Sequence, residues 1–158
     1  MRIRLVKLIV NELMSTNVFS IESEATAKEA AAKMAQHEIG SLIVTDENQP
    51  VGIVTERDLL SRVLALGRGA EATIIKSIMS KPLICAEPDM DAAEAARFMV
   101  RRGIKKLPIT RKGTLIGILT LTDLCAVQPD MYQLLEKENR GKLPKRFMKR
   151  LAKRYYRT

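Results

Sequence analysis

The chain has 158 residues, 46% of them apolar, and a formal charge of +9. A globule of this length buries about two-thirds of its unfolded surface, so a core can form without disulfides or a structural metal. No apolar run approaches the ~18 residues of a membrane span, and the opening MRIRLVKLIV is interrupted by charge too soon for a signal peptide, so a soluble cytoplasmic protein is expected.

In chain order the sequence reads as one unit written twice. A shift of 65 positions pairs Met14-Ser15 with Met79-Ser80 and keeps register through Leu59 and Leu124. Identities include Glu22, Ala27, Glu29, Ala30, Ala31, Met34, Ile39, Leu42, Thr45, Gly52, Thr55 and Asp58, each matched 65 residues on. Each copy starts with a short apolar run, Val18 to Ile21 and then Leu83 to Ala86, read as a strand. An alanine-rich stretch at helical spacing follows, from about Thr26 to Gln36 with Ala27, Ala30, Ala31 and Met34 inward. Its partner runs from about Asp91 to Arg101 with Ala92, Ala95, Ala96 and Met99 inward.

Two hairpins come next, Ser41 to Thr45 with Val51 to Thr55 around Asp46–Pro50, and Lys106 to Thr110 with Thr114 to Thr120 around Lys112-Gly113. Each leads into a second helix, from about Glu56 to Leu66 and from about Leu121 to Val127. The expected fold class is α+β, two β-α-β-β-α repeats and a basic C-terminal helix, divided as residues 1–68, 69–130 and 131–158.

At both strand-to-helix junctions a hydroxyl and a carboxylate stand three residues apart, in Gly52-Ile53-Val54-Thr55-Glu56-Arg57-Asp58 and Gly117-Ile118-Leu119-Thr120-Leu121-Thr122-Asp123. Such a pair can form a capping box that satisfies free N–H groups at the helix start. The same geometry can place a phosphate against those N–H groups and a ribose diol against the carboxylate. The two readings are compatible.

The repeated G-[hydrophobic]2-T-x-x-D, with Gly103-Ile104-Lys105-Lys106-Leu107-Pro108-Ile109 before the second hairpin, resembles the CBS domain over residues 8–127. The resemblance implies a tandem pair packed about a pseudo-two-fold axis, joined as a homodimer, which binds a regulatory adenine nucleotide (AMP, ADP, ATP or S-adenosylmethionine) in clefts between the repeats. One ligand set would be Ile118, Thr120, Thr122 and Asp123 with Thr16, Val18, Ile39 and Gly40. The other would be Ile53, Thr55, Arg57 and Asp58 with Lys81, Leu83, Ile104 and Lys105. Asp would hold the ribose and Thr the phosphate, with the apolar residues around adenine. The cations Arg57, Lys81 and Lys105 imply that the second set favours more highly charged phosphates.

The charge is unevenly placed: residues 1–130 carry seventeen Lys/Arg against sixteen Asp/Glu, and residues 131–158 carry ten against two. Pro144 suits a helix start, after which Leu143, Phe147, Leu151 and Tyr155 share one face, with Met148 and Ala152 beside them. Lys145, Arg146, Lys149, Arg150, Lys153, Arg154 and Arg157 surround the rest. Three partners compete for this helix: the protein's own body or dimer partner, RNA or DNA phosphates, the ribosome's RNA first among them, and an anionic membrane. Interleaved Arg and Tyr favour nucleic acid over membrane.

Catalysis lacks parts. There is no G-x-x-x-x-G-K-[ST] loop, no nucleophile beside a base and no resident cofactor signature. Cys85 and Cys125 form no C-x-x-C pair, and His37, the lone histidine, cannot complete an ordinary metal shell with them. Both thiols are expected to be small buried apolar side chains.

Overall fold

The computed structural model describes residues 3–155. Its mixed helix and strand content is the expected α+β class, arranged as two compact units. Asn17–Ile84 form one unit; residues up to Thr16 and from Cys85 onward form the other. The segment before the first repeat therefore packs with the second, which differs from a division after residue 68.

In the contiguous unit, β1 (Ser20–Glu22) lies parallel to β2 (Ser41–Asp46), and β2 pairs antiparallel with β3 (Gln49–Thr55). Between β1 and β2, α1 (Ala27–His37) starts at Thr26, whose hydroxyl accepts from the Glu29 N–H at 3.2 Å while Glu29 returns a carboxylate to the Thr26 N–H at 2.7 Å. Ala27, Ala30 and Met34 are buried against Leu42, Val44, Val54, Ile75 and Ile78. Ala31, expected inward, is exposed; at 3.6 residues per turn it falls 100° round from Ala30.

The β2–β3 turn is tighter than the expected Asp46–Pro50. Glu47 and Asn48 alone make it, both left-handed at φ 47° and 64°, the pairing whose twist suits a two-residue hairpin. The helix expected from Glu56 to Leu66 is one α-turn, α2 (Glu56–Asp58), which widens into a π-helical segment, Leu59–Leu64.

In the other unit, α3 (Ala92–Arg102) buries Ala92, Ala95, Ala96, Met99 and Val100. The hairpin of β4 (Lys106–Arg111) and β5 (Thr114–Thr120) turns at Lys112-Gly113 and leads into α4 (Leu121–Val127). The strand expected over Leu83–Ala86 does not form. The unit boundary falls inside that run, Pro82 before it offers no N–H, and only Ala86 bridges Ile109. The N-terminal segment is stitched on by Val10 N–H to Met90 O at 2.9 Å, and the buried Gln128 side chain brackets the Val6 backbone at 2.8 and 3.1 Å.

Two further helices complete this unit, α5 (Met131–Glu138) and α6 (Lys145–Tyr155). Glu138 reaches Arg97 and Arg101 of α3 at 3.8 and 3.5 Å, and Asn139 accepts from the Leu143 N–H at 2.9 Å to shape the α5–α6 connection. Of the partners weighed for the tail, its apolar face takes the body: Leu143, Phe147, Met148 and Leu151 are buried, and α6 packs on α4 and α5.

Cys125 is fully buried on α4, and desolvation pushes its thiol from 9.0 to about 12; Cys85 is half-buried and raised for the same reason. Between pH 9 and 12 the unfolded thiol loses a proton that the native Cys125 keeps, so stability falls as pH rises, by about 1.4 kcal/mol per pH unit from this group. Native-state alkylation at pH 8 is expected to label Cys85 alone, and urea midpoints of wild type and Cys125→Ala are expected to converge as pH is raised from 8 to 10.

Candidate functional site: two Thr-x-x-Asp junctions

Where β5 hands over to α4, the Thr120 hydroxyl accepts from the Asp123 N–H at 3.0 Å and the Asp123 carboxylate accepts from the Thr120 N–H at 3.1 Å. At the β3–α2 junction, Thr55 accepts from the Asp58 N–H at 3.3 Å, and one Asp58 oxygen, Oδ2, accepts from both the Thr55 N–H at 2.8 Å and its hydroxyl at 3.0 Å. Both capping boxes are therefore real. Each uses only Oδ2 of its carboxylate, which leaves Oδ1 for something else.

The glycine that opens each motif has a steric cause. A Cβ on Gly117 would come 2.5 Å from Met14 Sδ and 2.9 Å from Ser15 O; on Gly52 it would come 2.8 Å from both Met79 Sδ and Ser80 O. The close approach exists because a segment lies against each motif strand: Ser15 and Ile118 exchange two backbone hydrogen bonds at 2.9 Å, and Ser80 and Ile53 exchange two at 2.9 and 3.1 Å. Thr16 and Lys81, the next residues in the chain, are thereby brought alongside Ile118 and Ile53.

The rest of each set is placed by its own unit. Val18, Ile39, Gly40 and Leu83 belong to the unit of Thr55, Arg57 and Asp58, where Gly40 O accepts from the Glu56 N–H at 3.0 Å. Ile104 and Lys105 belong to the unit of Thr120, Thr122 and Asp123, where Lys105 O accepts from the Leu121 N–H at 3.0 Å. Ile39 and Ile104 sit alike, each donating its N–H at 3.0 Å to Met34 or Met99 just after a left-handed residue, Glu38 or Gly103.

Of the three cations expected to attract phosphate, Arg57 and Lys81 are exposed. The Lys105 ammonium instead stands 5.0 Å from the Phe147 ring centroid, over the face of the tail helix. Among the nucleic-acid candidates, Lys145, Arg146, Lys149, Arg150, Lys153 and Arg154 are exposed on α6, whereas Arg157 lies outside the described residues.

Sequence reasoning passed over Arg62. Its Nε lies 3.6 Å from Asp58 Oδ1, and its Nη1 donates to Ile78 O at 2.7 Å. The residue 65 positions on is Val127, which is exposed and has no charge to offer Asp123. Among the described residues no group of His, Cys, Asp and Glu is arranged to hold a metal ion, and no helix is long and apolar enough to cross a membrane.

The family model described as "CBS domain" matches residues 10–65 and 75–130. An uncharacterized protein of Methanopyrus kandleri is 40% identical over 131 residues, covering 82% of this chain and 67% of its own. The CBS domain-containing protein YhcV of Bacillus subtilis is 34% identical over 119 residues, covering 75% and 84%. Among solved structures, the CBS domain pair of protein MJ0100, in complex with 5′-methylthioadenosine and S-adenosyl-L-methionine, is 26% identical with a TM-score of 0.70, covering 77% of this chain and 96% of that one.

Proposed function

The chain belongs to the CBS-domain family as a tandem pair, and from that premise we propose that it is a cytoplasmic, non-enzymatic regulator that binds an adenine nucleotide of the AMP, ADP or ATP class. The observation that carries the reading is the Asp123 carboxylate. Thr120 fixes it through Oδ2, and no cation among the described residues pairs with it, so Oδ1 can accept a ribose hydroxyl. Both ligands in the similar domain pair contain an adenosine ribose, which supports the same recognition here.

In this reading the hydroxyls of Thr120 and Thr122, with Thr16 and Ile118, complete the contacts to the ligand held by that carboxylate. The same reading makes the protein a homodimer, with exposed Leu60, Leu64 and Leu66 as apolar surface for a second copy.

Calorimetric titration of AMP, ATP and S-adenosylmethionine tests it. Asp123→Ala is expected to weaken binding about tenfold or more, since it removes a charge-assisted hydrogen bond. No binding of any of the three to wild type would remove the reading.

A second reading has its own observation. With the apolar stripe of α6 buried, six cations face outward, and none forms an ion pair with a carboxylate among the described residues. We propose RNA phosphates, the ribosome's included, as partners for this face. An affinity for structured RNA that falls about tenfold or more between 50 and 200 mM salt is expected; a flat salt response sinks it.

A further inference from the structure

The two junctions differ at one oxygen, and that difference decides which of them reads a ribose. A carboxylate grips a ribose diol by accepting both hydroxyls, which takes a free Oδ1 once the capping box has claimed Oδ2. At Asp58 neither oxygen is free: Oδ2 accepts from the Thr55 N–H and hydroxyl, and Oδ1 faces Arg62 Nε at 3.6 Å. Such a pair is weak when both partners are solvated. Here, however, the Asp58 side chain is only 12% exposed, and Arg62 is anchored at its far end by Ile78 O at 2.7 Å and Met79 O at 3.3 Å.

The helix geometry sets this arrangement. Arg62 sits in the π-helical segment Leu59–Leu64, immediately after the single α-turn that ends at Asp58, and reaches back to the carboxylate from four residues on. Widened segments of this kind recur at functional positions. The repeat-equivalent position, Val127, ends an ordinary α-helix and offers Asp123 nothing, so that carboxylate keeps its Oδ1.

We infer that the two junctions are unequal in kind: Asp123 is the ribose-reading carboxylate, and Asp58 is held by Arg62 as a closed structural junction, so that the chain binds one adenosine ligand and not two. This rests on the adenine-nucleotide reading and adds to it the stoichiometry and the residue that sets it. A ligand diol at Asp58 would have to displace a guanidinium tied to two backbone carbonyls, which would then lose their donor.

The test is titration of AMP into the full chain, with 5′-methylthioadenosine in parallel, for wild type, Asp58→Asn, Asp123→Asn and Arg62→Gln. Asparagine keeps an oxygen for the capping box, which protects the fold. Expected are one equivalent in wild type, about tenfold or greater loss in Asp123→Asn, and a change within about threefold in Asp58→Asn. Arg62→Gln is expected to gain a second equivalent, which adding Asp58→Asn removes.

Two equivalents in wild type, or a loss in Asp58→Asn as large as in Asp123→Asn, would overturn the inference while leaving the nucleotide reading intact. A folded Arg62→Gln with no second equivalent would overturn the role given to Arg62. The wild-type stoichiometry decides even if Arg62→Gln does not fold. Absence of binding by both ligands in every protein would instead remove the nucleotide reading, and this inference with it.

Discussion

Gly117→Val should lower the stability of its unit by about 3 kcal/mol, the upper part of the range for forcing extra carbon into a packed interior. The first added carbon already falls 2.9 Å from Ser15 O, a backbone atom that cannot rotate away, and 2.5 Å from the more adaptable Met14 Sδ. One partial repair separates these contributions. Met14→Ala in a Gly117→Ala background removes the sulfur conflict and should recover part of the loss; the conflict with Ser15 O remains. Urea midpoints at constant m-value read the effect. Because Ser15 and Ile118 exchange backbone hydrogen bonds, displacing one also moves Thr16, so under the proposed function nucleotide affinity should fall with stability. A midpoint within about 0.5 kcal/mol of wild type would show that the N-terminal segment is not held against β5 in solution.

Phe147→Ala should cost about 3–5 kcal/mol, the usual range for emptying a buried aromatic site. Phe147 is 5% exposed where α6 meets α4 and α5, and its outer face carries Lys105 at 5.0 Å and Arg150 at 5.5 Å. Lys149→Ala, on the exposed side of the same helix, should change stability by no more than about 0.5 kcal/mol. The pair of variants tests whether the tail is part of the core or a solvated appendage. Limited trypsin digestion adds a direct readout, since an undocked α6 exposes a lysine or arginine at nearly every turn. Equal, small effects from both substitutions would mean that the helix does not dock.

Much of this architecture was legible because local chemistry and tertiary packing agree. The helix α3 has buried alanines at the spacing the sequence shows, and its Asp91 cap and left-handed Gly103 end it where expected. The Lys112-Gly113 turn and both capping boxes follow from residue type alone. Legibility failed where a distant partner decides. Leu83–Ala86 has strand character but forms only the isolated Ala86–Ile109 bridge and no ladder, and no periodicity distinguishes a π-helical Leu59–Leu64 from an α-helix. The Arg62–Asp58 pair had a visible trace, a charged residue in one repeat opposite Val127 in the other, yet its meaning needs the distance.

Met14, Gly117 and the strap of chain that joins them also bear on how the protein is made. Asn17–Ile84 is continuous, so that half can condense as soon as it has emerged from the ribosome. The other half is split: Ile9 waits for Asp91, and Ser15 waits for Ile118, about a hundred residues later in synthesis. Throughout that interval residues 9–15 have no strand to close on. Their closure is a long-range step, entropically dearer and slower than the local hairpins it completes. A nascent chain stalled before Ile118 should therefore hold Asn17–Ile84 folded and Ser15 still unpaired.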